Sequence, residues 1–468
     1  MPTVKIVSPK EEKLITVENG TLLMNVLKEN NSAVEHLCGG IGLCKKCIVL
    51  VNGKQELSCK YVINEDIIVE EAVNNKIESF SGVEETGKIG KNNCLCLDIG
   101  TTTLALALVS LDDYSVCKVE TATNPQRAFG GDVISRIDYS MKNGTENLFK
   151  SIIDRINQMV DELLNKFNLE KVENMLVAGN TTMLHLFFNV DPSSMGVSPY
   201  TPSFIESKQE KGAVLGLKRV ENVKTIKNIS AFVGADIVSG LGFIGMPEKD
   251  KYRFLIDLGT NAEIVLFSQD KMLCTAAAAG PCFEGANIEC GMSATKGAIS
   301  QYDKNGYKTI QDAEPTGICG TGLIDVIAYL LHQEIIDESG YMDDDFYLSD
   351  NVYLSQKDVR QFQLAKSAVY SAVLALMKKE NITFNDIDKI YISGGFSTFI
   401  NVDNAIKTGL LPNEKEKISA INNSSLSGAI NSVLKNDNYE KMIEKAEYID
   451  LSQDKVFSDL FIENMMFE

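Results

Sequence analysis

"TVKIVSP" and "KLITVENG", near the start of the chain, alternate apolar and polar positions on either side of a charged turn, and this period of two predicts a β-hairpin. The period then changes. In "TLLMNVLKENN", Leu22, Leu23, Val26 and Leu27 recur at helical spacing and asparagines end the run, so a helix is expected there. "CIVLVNG" returns to strand. Further along, "CLCLDIG" runs into "TTTLALALV" as two apolar strands around a Gly-Thr tip, and "FLIDLGTNAEIVLF" repeats that arrangement about 160 residues later. A third buried strand, "KIYISGGFSTF", ends in Gly394 and Gly395. Between the first two groups, "NNKIESFSGVEETGKIGKNN" is polar and reads as a linker.

A chain of 468 residues is too long for one core. The pattern divides it into an N-terminal domain at 1–75, a linker at 76–91 and a larger α/β body at 92–468, with lobes at roughly 92–230 and 231–468. At 44% hydrophobic and 23% charged residues, neither disorder nor a membrane span is indicated. The longest apolar run is broken by Asp98 and threonines, and "MPTVKIVSPKEEK" carries charges where a secretory signal is apolar, so a cytoplasmic protein with no membrane partner is expected. A net charge of −19 with no basic stripe argues against nucleic acid. Eleven cysteines in such a compartment are not expected to form disulfides, which leaves metal binding or buried packing.

Four of those cysteines are candidates for metal. Cys38, Cys44, Cys47 and Cys59 are separated by five, two and eleven residues, with Gly39, Gly40 and Gly42 between the first two. Zinc ribbons generally use two Cys-x-x-Cys knuckles, and only one is present here. Three ligands in a glycine-rich loop plus one distant ligand match the plant-type [2Fe-2S] pattern, with the first gap one residue longer. Zinc and an unliganded set stay open on spacing alone. His36 is read as a packing or surface residue, because a Rieske centre needs two Cys-x-His pairs. The other cysteines, Cys94, Cys96, Cys117, Cys274, Cys282, Cys290 and Cys319, lack ligand spacing and are read as packing. A second cluster shared between subunits, and with it a homodimer, stays open.

The paired hairpins suit a nucleotide. Asp98 can hold a hydrated Mg²⁺ while Gly100, Thr101 and Thr102 cradle phosphate oxygens, and Asp257, Gly259, Thr260 and Asn261 repeat the set. Gly394 and Gly395 would let a purine and ribose lie against backbone. Glu263 and Asp236 are the candidates to orient an attacking water.

The order of these motifs resembles the actin, sugar-kinase and heat-shock-chaperone ATPase superfamily, with connecting helices expected after "VAGNTTMLHLF" and at "SSLSGAI". The stretch 1–75 resembles a plant-type ferredoxin. The fold class implied is an α+β β-grasp ferredoxin domain followed by a two-lobed α/β ATPase of the actin-like, ribonuclease H-like fold. "NPQRAFGGDVISRI", "AAAAGPCFEGANIECGM", "PTGICGTGLIDVIA" and "LSQKDVRQFQLAKSAV", taken with the ferredoxin head, resemble the reductive activators of corrinoid proteins. That resemblance implies ATP, Mg²⁺ and a [2Fe-2S] cluster as cofactors. It further implies a low-potential electron donor, a corrinoid protein as acceptor, and transfer of one electron to Co(II) to regenerate Co(I). It carries the catalytic set Asp98, Asp257 and Glu263 and adds Gly320 to the nucleotide-binding residues. Larger family members have a further domain between ferredoxin and ATPase, where this chain has only the short stretch 76–91. The alternatives are a small-molecule kinase or ATPase with a regulatory ferredoxin domain, or an activator of another low-potential metalloenzyme. An electron-transfer flavoprotein lacks support, since no G-x-G-x-x-G follows a strand.

Overall fold

The structure, a computed structural model, describes residues 1–7, 12–30, 32, 34, 47–70, 84–395, 397–435 and 442–467. In the N-terminal unit, β1 (Thr3–Val7) turns Val4 and Ile6 inward and pairs antiparallel with β2 (Glu12–Thr16). Helix α1 (Leu23–Glu29) buries Leu23, Val26 and Leu27, a stripe at i, i+3 and i+4. β3 (Ile48–Val51) and β4 (Lys54–Leu57) form a second antiparallel pair, and β5 (Ile67–Glu70) returns parallel to β1. The sheet order is β2-β1-β5-β3-β4, and its inner face packs Val4, Ile6, Val49, Val51 and Val69 against α1.

The body has two lobes with the same strand plan. In the first, β6 (Asn93–Ile99), β7 (Thr103–Ser110) and β8 (Ser115–Thr123) form an antiparallel meander. After α2 (Val133–Asn143) and α3 (Glu146–Lys166), β9 (Val172–Gly179) runs parallel beside β6; α4 (Thr181–Phe187), β10 (Gln209–Lys211) and β11 (Val220–Thr225) follow. The order is β8-β7-β6-β9-β11-β10. Strand β7 is buried along nearly its whole length because both faces of the sheet are covered, which explains its unbroken apolar run. Helix α5 (Ala235–Ile244) leads to the second lobe. There β12 (Tyr252–Leu258), β13 (Ala262–Phe267) and β14 (Met272–Ala277) repeat the meander. Helices α6 (Gly320–His332) and α7 (Gln356–Glu380) precede β15 (Ile387–Ser393), which lies parallel to β12. β16 (Ile418–Ala420), α8 (Ser424–Lys435), β17 (Ala446–Tyr448) and α9 (Lys455–Glu463) follow, and the sheet order is β16-β15-β12-β13-β14-β17.

Helices α5 and α8 lie between the two sheets. One apolar cluster joins Ile237, Val238 and Leu241 of α5, Leu426, Ala429 and Ile430 of α8, and Leu255, Val265 and Phe267 of the second sheet to the first lobe's core. Their crossing is very close: a Cβ on Gly428 would stand 1.7 Å from the Ser239 carbonyl oxygen, so only glycine fits.

Residues 84–92, most of them within the expected linker, are bound to the first lobe. The Thr86 and Gly87 amides donate to the carbonyls of Val116 and Cys117 at 2.9 and 3.0 Å, along the open edge of β8. Glu85 accepts from the Val119 amide at 3.0 Å and pairs with Lys118 at 2.6 Å, while Asp112 accepts from the amides of Lys91 and Asn92. The remainder of that linker, 76–83, lies outside the described residues.

Candidate functional site

The shared strand plan sets the site. Asp98 is the sixth residue of β6 and stands in register with Ala178 of the parallel β9; Asp257 is the sixth residue of β12 and stands in register with Ser393 of β15. Each aspartate therefore sits just before a hairpin tip: Gly100, Thr101 and Thr102 in one lobe, Gly259, Thr260 and Asn261 in the other. Antiparallel pairing places Glu263 directly opposite Asp257, on the same face of the sheet.

The first tip is held by polar side chains. Asn124 donates to the Gly100 carbonyl at 2.8 Å, Asn180 to Thr101 Oγ1 at 3.1 Å, and Arg136 Nη2 to the Thr101 carbonyl at 2.5 Å. Arg136 is fully buried, and burial lowers its pKa to about 9, with the Arg127 charge adding to the effect. At the second tip, Thr260 Oγ1 donates to Glu284 Oε2 at 2.7 Å. Gly394 follows β15 at φ +109, and a Cβ there would stand 2.1 Å from the Leu258 carbonyl oxygen; at Gly395 a Cβ would meet nothing within 4 Å. The first glycine is required by the backbone and the second leaves space beside it. Gly320 opens α6 and backs onto the turn carrying Phe283 and Glu284.

Five carboxylates gather around the two tips. Burial raises Asp98 to about 6, opposed by hydrogen bonds from Ser425 and Asn423, and raises Asp236 to about 7, with Asp257 adding repulsion. Burial also raises Asp257, against a hydrogen bond from Ser393, and pushes Glu263 well up, helped by Asp257 and Asp236. Glu284 is raised by burial, and the Thr260 hydrogen bond and the attraction of Arg127 hold it back. Among the described residues no three of these carboxylates are arranged to hold a metal ion by themselves, so a Mg²⁺ here would take one or two of them together with water and phosphate oxygens.

Helix α8 is bonded to both aspartates. Ser425 Oγ donates to Asp98 Oδ1 at 2.8 Å; Ser424 Oγ donates to Ser393 Oγ at 3.0 Å, and Ser393 donates in turn to Asp257. Ser239 of α5 donates to the Ser425 carbonyl at 2.6 Å. These bonds connect both aspartates to the helix crossing. Sequence reading missed these serines, together with Asn124, Asn180, Arg136 and Glu284. All but Ser239 lie inside stretches quoted above, from NPQRAFGGDVISRI to SSLSGAI, but those stretches are read for glycines, strands and family likeness, and nothing local singles out these side chains.

Of the cysteine set, Cys38 and Cys44, with His36 and the three loop glycines, lie outside the described residues. Cys47 and Cys59 are buried at the two outer ends of the β3–β4 hairpin, with the Ser58 amide donating to the Cys47 carbonyl at 2.9 Å. The ammonium of Lys28 on α1 is lowered by burial and drawn back up by Cys59, and it lies 6.0 Å from the centre of the Phe129 ring of the body. A buried Cys59 thiol beside the Lys28 ammonium suits thiolate ligation. The remaining cysteines of the body are buried, apart from the half-buried Cys290. Among the described residues no helix is long and apolar enough to cross a membrane.

The family description "C-terminal domain of RACo the ASKHA domain" matches residues 251–468, and "RACo middle region" matches residues 94–249. A corrinoid activation enzyme, RamQ of Eubacterium limosum, is 27% identical over 589 aligned residues covering 99% of each chain. The alignment exceeds the 468 residues of this chain, so that relative is longer within the shared extent. A reductase of the Co(II) methylated amine-specific corrinoid protein from Methanosarcina barkeri is 27% identical over 76% of this chain and 72% of its own. A solved structure, a reductive activator for corrinoid,iron-sulfur protein, superimposes with a TM-score of 0.71 at 26% identity, covering 99% of this chain and 98% of the other.

Proposed function

Since the chain belongs to the RACo family of reductive activators of corrinoid proteins, we propose that it couples ATP hydrolysis to transfer of one electron onto the Co(II) form of a corrinoid protein, returning it to Co(I). The observation that carries this reading is similarity over nearly the whole chain to proteins named for that activity.

In this reading residues 1–75 are a plant-type ferredoxin domain of β-grasp fold, 76–91 are a linker, and 92–468 are the actin-like ATPase. Cys38, Cys44, Cys47 and Cys59 would hold a [2Fe-2S] cluster, which when bound supplies a one-electron centre at roughly −400 mV. The small core of the head supports this, because units of this size commonly need a metal or cross-link to add to the few kcal/mol a small core provides. Asp98 and Asp257 would hold Mg²⁺, the two hairpin tips would cradle the phosphates, and Gly394 and Gly395 would border the adenosine.

Each 100 mV by which the acceptor lies below the donor costs about 2.3 kcal/mol per electron, so delivery needs a driven step. The serine contacts of α8 offer the means. Asp98 and Asp257 belong to different lobes and both are bonded through one helix, so closure of the tips around a nucleotide also moves the α5–α8 crossing. That changes the surface presented to the partner without any step at the cluster itself.

The test is growth of the Co(I) absorption band under anaerobic conditions, with a low-potential donor and candidate corrinoid proteins. Reduction is expected only with ATP, and Asp257→Ala should leave a reducible cluster that delivers nothing. Equal rates with and without ATP, across several corrinoid proteins, would refute the coupling.

A further inference from the structure

Glu284 lies in "AAAAGPCFEGANIECGM", a stretch in which no sequence motif marks any chemistry. It ends the short turn Pro281–Glu284. That turn is locked in place: Gly285 has φ +79, a Cβ there would stand 2.3 Å from the Met292 carbonyl oxygen, and Gly320 of α6 backs the same turn. The carboxylate reaches the second hairpin tip, where Oε2 accepts from Thr260 at 2.7 Å and Oε1 lies 4.0 Å from the Cβ position of Gly259. From the first lobe the guanidinium groups of Arg127 and Arg136 attract it while Asp132 repels it, and Arg136 is itself bonded to the first tip. Glu284 is therefore bonded to the second tip and within electrostatic reach of the arginine that holds the first. Glu263 stands on the strand instead, opposite Asp257 and beside Asp236.

We infer that Glu284, rather than Glu263, orients the water that hydrolyses ATP, a role that rests on the nucleotide reading above. A carboxylate that spends one oxygen on Thr260 keeps the other to accept from a water. The water oxygen forms a bond to the γ-phosphorus as the bond from that phosphorus to the β–γ bridging oxygen breaks. ADP leaves with the electron pair, and the water proton passes to the Glu284 carboxylate and then to the phosphate released. Arg127, in the first lobe, faces the charge on the transferring group. No redox change accompanies the step.

The test uses the intact, cluster-loaded chain. Glu284→Gln keeps the size and an oxygen for Thr260 but removes the proton acceptor, so kcat for hydrolysis should fall about 10²- to 10⁴-fold. ATP affinity by calorimetry should stay within about threefold and the visible spectrum should not change. Added formate should restore part of the hydrolysis lost in Glu284→Ala, which a structural role for the side chain would not produce. Hydrolysis by Glu284→Gln within about threefold of the parent overturns the assignment, as does an equal loss in Glu263→Gln at saturating Mg²⁺. Failure of the parent chain to bind ATP would instead remove the nucleotide reading, and the assignment with it.

Discussion

Gly428→Ala sets two effects of opposite sign against each other. Alanine in a helix interior is favoured over glycine by about 1 kcal/mol, so propensity alone predicts a more stable protein. The structure predicts the reverse. The added Cβ would stand 1.7 Å from the Ser239 carbonyl oxygen, and real contacts of this kind are not shorter than 3.0 Å, so α5 and α8 must move apart by at least the difference. The obstacle is backbone and cannot rotate away. Apolar side chains from both sheets pack on the two helices, so the movement disturbs the core on each side. Overpacking of this kind costs about 1–3 kcal/mol, and strain on the Ser239–Ser425 and Ser425–Asp98 hydrogen bonds adds about 1 kcal/mol for each one lost. The net expectation is a loss of about 2 kcal/mol or more, with weaker ATP binding because Asp98 shifts with α8. Urea unfolding followed by circular dichroism measures the first effect, and calorimetry the second. A midpoint equal to or above that of the parent would refute the close crossing.

Two further outcomes follow from the electrostatics. Carboxylates raised to about 6 and 7 at Asp98 and Asp236 favour the protonated form, so their contribution to stability is present at low pH and is lost as pH rises through those values. A Mg²⁺ bound as proposed would replace the lost protons, so the gain in melting temperature on adding Mg²⁺ should widen from pH 5.5 to 8, and a gain independent of pH would count against a metal at these carboxylates. Replacing Cys47 or Cys59 with serine should abolish the visible absorption of anaerobically isolated protein while ATP still binds; a retained spectrum would remove those residues from the ligand set.

The hairpins at Asp98 and Asp257 were legible in the sequence because each is local: two apolar strands joined by a Gly-Thr tip. The pairing of each aspartate with a parallel strand was not, since β9 and β15 begin only at Val172 and Ile387, with whole helices intervening. The crossing at Gly428 was equally hidden, because the glycine meets the carbonyl of Ser239, on the far side of the second lobe's meander in sequence, and no periodicity records that distance. Residues 84–91 read as linker because their side chains are polar, yet binding at a strand edge uses backbone groups, which every residue carries. Glu284 was missed for a related reason: one glutamate among glycines carries no pattern, and only burial beside Thr260 gives it chemistry.

The attachment of residues 84–92 to the edge of β8 limits how far the head can stand from the body. Only thirteen residues, 71–83, separate it from the end of β5, and drawn out fully they span at most about 45 Å. Confinement within that radius gives the head an effective concentration of a few millimolar at the body, whatever the amount of protein in the cell. A head cut free and returned at micromolar concentration would meet the body about a thousandfold less often. The encounter of head and body is therefore first order in this chain, and only the arrival of other molecules depends on their concentration.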